Sequence, residues 1–472
     1  MSVSTLPAPE TADRFAAIKQ AAVVLVPTAL WFAPLGLAPL AQHGLAITVF
    51  MVLGWIVEVT EYAIVGLIGC FLFWALGLVK MDVAFGGFAD STTWFIFAAL
   101  LFGTLATNTG IAARLANAVM RRVKPTYSGL LFGLVVTSFL LTFIVPTGTS
   151  RVAIMATITI GLIGALGLRR GSNEATGMFL IGTYTAALFD KSMVAGAASI
   201  TARGLMEKAG GVDVSWSEWF SAYAPCDMLV IIACCFFTLK LFPPTSGKLE
   251  GGTEYLDRQA SEFGPMTSMQ IRAAVLLAGA VLLWVTDFAH HIPAAVIGMG
   301  VVLIALLPRI GVLTVEDLKK VNYLPFLFVA SAISMAGALA ATKGLDVLTG
   351  FVFGQIAPLM TSTLMSTIVL YWSAFFYHFL LASEISMLAS SIPPLMAFAK
   401  SHGLNPKVVG LIWTFAAGGK LFAYQNAVLV VGFSFGYFTG RDLIKLGLLL
   451  TIAEFVFLVP TVLFYWPLLG LQ

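Results

Sequence analysis

Pro146-Thr147-Gly148-Thr149-Ser150-Arg151 interrupts an apolar run with short hydroxyls, a glycine and a guanidinium, and Ser383-Glu384-Ile385 does the same in the second half of the chain. Each break sits between apolar stretches, spanning about 127–167 for the first and about 363–400 for the second. Matched interruptions in two halves point to a transporter site near the bilayer midplane, because unwound backbone is tolerated there only where it lines a polar cavity. Further echoes lie on either side. Trp94-Phe95-Ile96-Phe97 leads through an apolar run to Thr109-Gly110-Ile111, and Pro325-Phe326-Leu327-Phe328 leads to Lys343-Gly344-Leu345, which matches Gly110 with Gly344. Beyond each break comes a second polar interruption, Asp190-Lys191-Ser192 in one half and Tyr424-Gln425-Asn426 in the other.

Composition sets the solvent. Of the 472 residues 59% are hydrophobic and 10% charged, with mean hydropathy +0.95. So little charge cannot wet a soluble surface, and lipid makes a lipid membrane the first partner. Apolar runs of span length without period-2 alternation predict helices, not a barrel. The fold expected is all-α and membrane-embedded, with two re-entrant helical hairpins in an inverted repeat. Residues 1–20 are polar and read as a cytoplasmic tail, with no signal peptide. Residues 21–242 hold the first helices and the first repeat, 243–268 a polar cytoplasmic linker, and 269–472 the second repeat. A net charge of +3 gives no reason to expect nucleic acid. Cys70, Cys226, Cys234 and Cys235 form neither a disulfide scaffold nor a metal motif, the five histidines form no metal constellation, and no metal or other cofactor is expected.

Basic residues orient the hairpins. Arg114, Arg121, Arg122 and Lys124 precede the first break, and Arg169 and Arg170 follow it, so that hairpin opens to the cytoplasm. Between Lys343 and Lys400 there is no basic residue, so the second hairpin opens to the outside. Arg309, Lys319, Lys320, Arg441 and Lys445 mark further cytoplasmic ends. The chain reads as a multi-pass protein of the cell's inner (plasma) membrane with a cytoplasmic N-terminus.

A charge in hydrocarbon costs about 2.5–3.5 kcal/mol on insertion scales, so intramembrane charges face a cavity or a partner. The candidates are Glu58, Glu61, Arg151, Asp190, Lys191, Glu384 and Lys420, with His378 as a titratable neighbour. Glu58 and Glu61 read as structural residues at a cytoplasmic junction. Arg151, Lys191 and Lys420 lie at breaks, where free helix N–H groups and positive dipole ends favour an anion and a guanidinium matches a carboxylate. The alternative is structural pairing, Lys191 with Asp190 or Lys420 with Glu384. Thr147, Thr149, Ser150 and Ser383 offer hydroxyls for a carboxylate or a sodium ion; capping their own helices is the alternative use.

Further residues carry a resemblance. They are the first tip with its Pro146, Thr149 and Arg151, Val214-Ser215-Trp216-Ser217-Glu218-Trp219-Phe220, Leu241-Phe242-Pro243-Pro244, Pro393-Pro394, Asn426-Ala427 and Gly436-Tyr437. Together they resemble the divalent anion/sodium symporter family, nearest its branch of bacterial citrate/succinate antiporters and plastid 2-oxoglutarate/malate translocators, over nearly the whole chain after Gln20. The resemblance implies a homodimer of protomers with about 11 transmembrane helices and elevator-type movement of a small organic anion, a di- or tricarboxylate. It assigns substrate contacts to Thr147, Gly148, Thr149, Ser383, Glu384 and Ile385 and to the breaks near Lys191 and Tyr424. Arg151 and Asn426 complete the expected substrate-binding set.

Two departures concern coupling. The asparagines of the family's Ser-Asn-Thr tips are replaced by Gly148 and Glu384, which argues against sodium coupling. Lys191 would stand in for the cation, leaving an exchanger or a proton-coupled carrier. Glu384, His378, Lys191 and Lys420 are the coupling candidates, and a Glu384–Lys420 ion pair is the structural alternative. The competing readings are a sulfate-like or oxyanion carrier and a sodium/proton transporter of the wider superfamily. An enzyme is not expected, because no convergent catalytic set is visible, and no nucleotide-binding loop occurs.

Overall fold

The structure is a computed structural model and describes residues 10–145, 147–194, 196–245, 251–381 and 383–471. No strand occurs among the described residues. Three helices open the chain, α1 Glu10–Phe32, α2 Pro39–Val57 and α3 Tyr62–Ala75, and the single turn α4 Met81–Ala84 follows. A first series comprises α5 Ser91–Asn108, α6 Ile111–Met120, α7 Tyr127–Ile144, α8 Gly148–Ala165, α9 Asn173–Ser192, α10 Ala197–Gly210 and α11 Trp216–Leu241. The bridge holds α12 Gly252–Phe263, α13 Ser268–Val285, the turn α14 Asp287–His290, α15 Ala294–Leu306 and the short α16 Val315–Lys320. A second series comprises α17 Leu324–Ala341, α18 Gly344–Phe353, α19 Thr363–Leu380, α20 Glu384–Ser401, α21 Pro406–Ala416, α22 Ala427–Ser434 and α23 Gly440–Pro460.

The two series open in step. Helices of 18, 10, 18 and 18 residues begin each of them. The sharp turn between their first two helices needs a left-handed residue. That residue is Gly110 (φ 72°) in the first series and Lys343 (φ 60°) in the second. Lys343, not Gly344, is therefore the counterpart of Gly110, a one-residue correction to the match read from sequence. A side chain in this region costs roughly 1–2 kcal/mol, part of which a glycine returns as unfolded-state entropy. Lys343→Gly is expected to raise stability by about 0.5–1 kcal/mol, read as a higher melting midpoint in detergent. An unchanged midpoint would show that local contacts remove the strain.

Among the described residues seven helices are long and apolar enough to cross a membrane, and α5 with α6, bent by 66°, makes an eighth candidate. Helices α7 and α8 pass that test although they are the arms of a hairpin. Leu130 near the start of α7 and Leu166 just past the end of α8 border one small cavity with Gly252 and Leu256 of α12. Both feet of the first hairpin thus rest on the face covered by the polar linker helix. On the same face Arg121 pairs with Asp257 at 2.7 Å, Arg114 Nη1 donates to the Gly264 carbonyl at 2.7 Å, and Arg170 lies 4.7 Å over the ring of Tyr437.

The second hairpin reaches the other end of the bundle. Lys400, in the last turn of α20, donates to the Ala209 carbonyl at 2.8 Å, and Lys208 of that same turn of α10 approaches Asp90 at the start of α5. The far end of α5 lies on the linker side, where Asn108 donates to Asp317 at 2.7 Å. Between the hairpins, α9 is buried at every residue from Glu174 to Ser192, as a helix enclosed on all sides must be. It packs on α7, α8, α11 and α22.

Candidate anion site at the helix breaks

Thr147 and Ser383 hold the N-cap positions of α8 and α20 in extended backbone, yet neither side chain caps its helix. Elsewhere the chain uses such residues in the usual way: Thr126, Ser172, Ser215, Thr267 and Thr439 cap α7, α9, α11, α13 and α23. The two hairpin tips depart from this pattern, and the capping alternative is not realised there. An uncapped start leaves first-turn N–H groups for an outside acceptor, at the positive end of the helix dipole. Thr147 Oγ1 is itself buried and has no hydrogen-bond partner among the described residues. Pro146, which belongs to the first tip in sequence, lies outside the described residues.

Two ion pairs stand at the tips. Arg151 is fully buried; its Nη1 donates to the Val145 carbonyl at 2.7 Å, and its Nη2 donates to the Ala186 carbonyl at 2.8 Å and to Asp190. One guanidinium therefore ties the unwound end of α7 to the last turn of α9. Across the site Lys420 Nζ lies 3.2 Å from Glu384 Oε2, which also accepts from Asn426 Nδ2 at 2.5 Å. Asn426 in turn caps α22 through the Val428 N–H at 2.7 Å. Val428 and Asp190 both press on Gly148, so closely that a β-carbon there would overlap Val428 Cγ2 and Asp190 Oδ2. Through this contact the first tip meets the start of α22, and through Asn426 the start of α22 meets the second tip. Gly148→Ala is expected to force these elements apart and to reduce transport severely in reconstituted vesicles, with the protein still extracted as a monodisperse species. Wild-type rates in the variant would show that the tips tolerate separation.

Of the residues expected at the site, Thr147, Gly148, Arg151, Ser383, Glu384 and Asn426 come together here. Thr149 and Ile385 lie in the first turns of α8 and α20, half-buried. Tyr424 does not join them: it is 45% exposed and stacks on Phe422. Its neighbour Gln425 turns inward instead, accepting the Leu421 and Phe422 N–H groups at 2.7 and 2.9 Å. His378 Nε2 lies 3.1 Å from the Gln425 carbonyl, so the imidazole braces this break. Glu384 is engaged by Lys420 and Asn426, as the ion-pair alternative expects.

Lys191, expected at the substrate site, is instead held in a buried ion cluster, and its partners are not the Asp190 of the structural alternative. Consecutive helix residues point in different directions, so Asp190 faces Arg151 while Lys191 turns the other way. Its ammonium lies 2.9 Å from Glu454 Oε1 and 3.2 Å from Asp227 Oδ1, and 3.7 Å from the centre of the Phe415 ring. The Lys191 carbonyl, left free where α9 ends, accepts from Trp219 Nε1 at 2.8 Å, which gives Trp219 of the Trp-x-x-Trp-Phe stretch a role. Sequence reasoning passed over Asp227 and Glu454. Both interrupt apolar helices, the same signal that singled out Asp190, but neither sits at a break.

A match to the sodium:sulfate symporter transmembrane region covers residues 12–472. The chain belongs to this family. The family's members are transport proteins, and the chain is accordingly a multi-pass secondary transporter of organic or inorganic anions, not an enzyme. The family resemblance read from the sequence is thereby borne out. Among related proteins, a "membrane protein" of Cupriavidus necator is 25% identical over 99% of this chain and 95% of its own length. L-tartrate/succinate antiporters of Shigella flexneri and Escherichia coli K12 are 25% and 24% identical over 82% of this chain and 81% of theirs. Among solved structures, the YdaH transporter of Alcanivorax borkumensis superposes with TM-score 0.54 at 16% identity, covering 82% of this chain and 88% of that one. MtrF of Neisseria gonorrhoeae superposes with TM-score 0.57 at 12% identity over 95% and 97%. These two likenesses concern the fold alone.

Proposed function

We propose that the protein exchanges small di- or tricarboxylates across the inner membrane, or carries them with protons, and does not depend on sodium. The carrying observation is the pair of uncapped hairpin tips, Thr147-Gly148-Thr149 and Ser383-Glu384-Ile385, brought together at the start of α22. Two free helix N-termini facing one region suit a ligand with a carboxylate at each end. Arg151–Asp190 and Lys420–Glu384 neutralise each other locally, so the N–H groups and Asn426 supply the recognition and the paired charges hold its geometry. The named relatives that exchange L-tartrate and succinate support a dicarboxylate. Sulfate is the competing cargo, favoured by the family's description.

Movement is proposed to be of the elevator type within a homodimer, with the N-terminus, the linker 243–268 and the feet of the first hairpin at the cytoplasm. The placement of Arg114, Arg121 and Arg170 with α12 supports that orientation. The matched helix lengths and the hairpin feet at opposite ends support an inverted repeat.

Counterflow in proteoliposomes loaded with succinate, tartrate, citrate, 2-oxoglutarate or sulfate, with and without sodium, tests the proposal. Exchange of at least one dicarboxylate at equal rates in both media is expected. Strict sodium dependence, or transport of sulfate alone, would overturn it. Glu384→Gln is expected to leave Lys420 unpaired beside the tip and to change the affinity for dianions more than the maximal rate, read as a shift in half-saturation. An unaltered half-saturation would remove Glu384 from the site.

A further inference from the structure

Buried between α9, α11, α21 and α23, a second cluster of charge remains that the anion site does not use. Lys191, Asp227 and Glu454 are each at most 2% exposed, and a single ammonium serves two carboxylates. Among the described residues of the polar centre three cations, Arg151, Lys191 and Lys420, face four carboxylates, Asp190, Asp227, Glu384 and Glu454. Arg151 is committed to Asp190 and Lys420 to Glu384, so the unmatched negative charge falls on the Lys191 cluster.

Among the described residues the neighbouring groups do not supply the missing positive charge. Tyr184 of α9 donates to the Leu443 and Lys420 carbonyls, Tyr223 of α11 to the Leu411 carbonyl, and Tyr371 of α19 to the Thr451 carbonyl. Each phenol thus has a backbone acceptor, and Tyr371 also faces Glu454; none of them carries a positive charge. Cys226, the remaining titratable neighbour on α11, is a free thiol. Helices α7 and α13, which flank α11, carry Tyr127 and Arg272 in their first two turns, at the linker face, and Asp287 of α14 accepts from Trp216 and Ser217 at the opposite end. Asp227 Oδ2 and Glu454 Oε2 have no hydrogen-bond partner among the described residues. An isolated buried carboxylate is far costlier than one that takes up a proton.

We propose that the Lys191–Asp227–Glu454 triad is a proton-binding site whose occupancy is coupled to transport. A proton from the aqueous phase bonds to one free carboxylate oxygen, Glu454 Oε2 or Asp227 Oδ2, and returns to water from the same atom; no other bond changes. Bound, the triad is neutral; released, it carries one negative charge. Two backbone links connect it to the anion site. Lys191 follows Asp190 directly on α9, and Gly418, two residues before Lys420, lies against both Lys191 Nζ and Glu454 Oε1. A change of charge at the triad therefore acts on both ion pairs at the tips. The coupling half of this proposal rests on the carrier reading above, and the site half does not.

The test uses the full-length protein. Infrared titration of the purified wild type is expected to show the carbonyl stretch of a protonated buried carboxyl, lost in Glu454→Gln and in Asp227→Asn. In proteoliposomes, one coupled proton lets a one-unit pH gradient support up to about ten-fold accumulation of the anion. Both variants are expected to lose that accumulation while counterflow at equal pH persists. A wild-type spectrum without the band, or a band unchanged in both variants, overturns the site. A wild type that exchanges anions yet accumulates none under the gradient, or variants that still accumulate, overturns the coupling. If no anion of the panel exchanges at all, the carrier reading fails, and the infrared result alone decides the site.

Discussion

Replacing Arg151 with methionine is expected to abolish transport and to destabilise the protein by about 3–5 kcal/mol, the usual cost of removing one member of a buried ion pair. Three donated hydrogen bonds disappear at once, those to Val145, Ala186 and Asp190. The Asp190 carboxylate is left against Gly148 with no cation. Arg151→Lys keeps the charge but cannot span the three acceptors from one planar group, so an intermediate loss is expected. Arg151→Met combined with Asp190→Asn is expected to recover much of the stability, because both charges leave together, while transport stays lost. Melting midpoints in detergent and counterflow rates on the same preparations separate the two effects. A single Arg151→Met variant that melts and transports like the wild type would show that the pair holds neither the break nor the site.

The breaks were legible in the sequence because they obey a hard constraint. A helix interrupted in apolar sequence leaves backbone polar groups that lipid cannot satisfy, so Thr147-Gly148-Thr149 and Ser383-Glu384-Ile385 had to converge on something polar. The family followed from the first tip together with stretches outside the breaks, such as Val214–Phe220 and Leu241–Pro244. The pairing of charges was not legible, because it depends on which faces of distant helices meet. Lys191 reads naturally beside Asp190 on paper, but its partners come from α11 and from α23, 36 and 263 residues further along. The same limit explains Tyr424 and Gln425. In a single 3-10 turn of three residues, Ala423–Gln425, nothing periodic in the sequence says which side chain turns inward. The slip between Gly110 and Gly344 has another cause: glycine is the default left-handed residue, and the second turn uses Lys343 instead.

The two tips also differ more than the repeat suggests. At the first, the carboxylate is supplied by a neighbouring helix, Asp190 of α9, and the cation by the tip's own helix. At the second, the order reverses: Glu384 opens α20, and Lys420 comes from the break before α22. Swapping the sign of the charge on the hairpin while keeping each pair neutral preserves the electrostatics of the centre.

Lys191→Met is the other change expected to have a large effect, and it separates structure from coupling. The variant leaves Asp227 and Glu454 buried together with no cation. A loss of about 3–5 kcal/mol in stability is expected, together with loosening of the Gly418 turn that lies on the ammonium. Adding Asp227→Asn and Glu454→Gln removes every charge of the cluster, and buried ion clusters replaced by neutral groups of similar shape are often no less stable. The triple variant is therefore expected to melt close to the wild type. If its stability returns and counterflow returns with it, Lys191 contributes nothing to the anion site, consistent with its pairing with Asp227 and Glu454. If stability returns but counterflow does not, Lys191 acts on the tips through α9 and the Gly418 turn. A Lys191→Met variant as stable as the wild type would contradict the geometry directly, since the ammonium is the one cation within reach of both acids among the described residues.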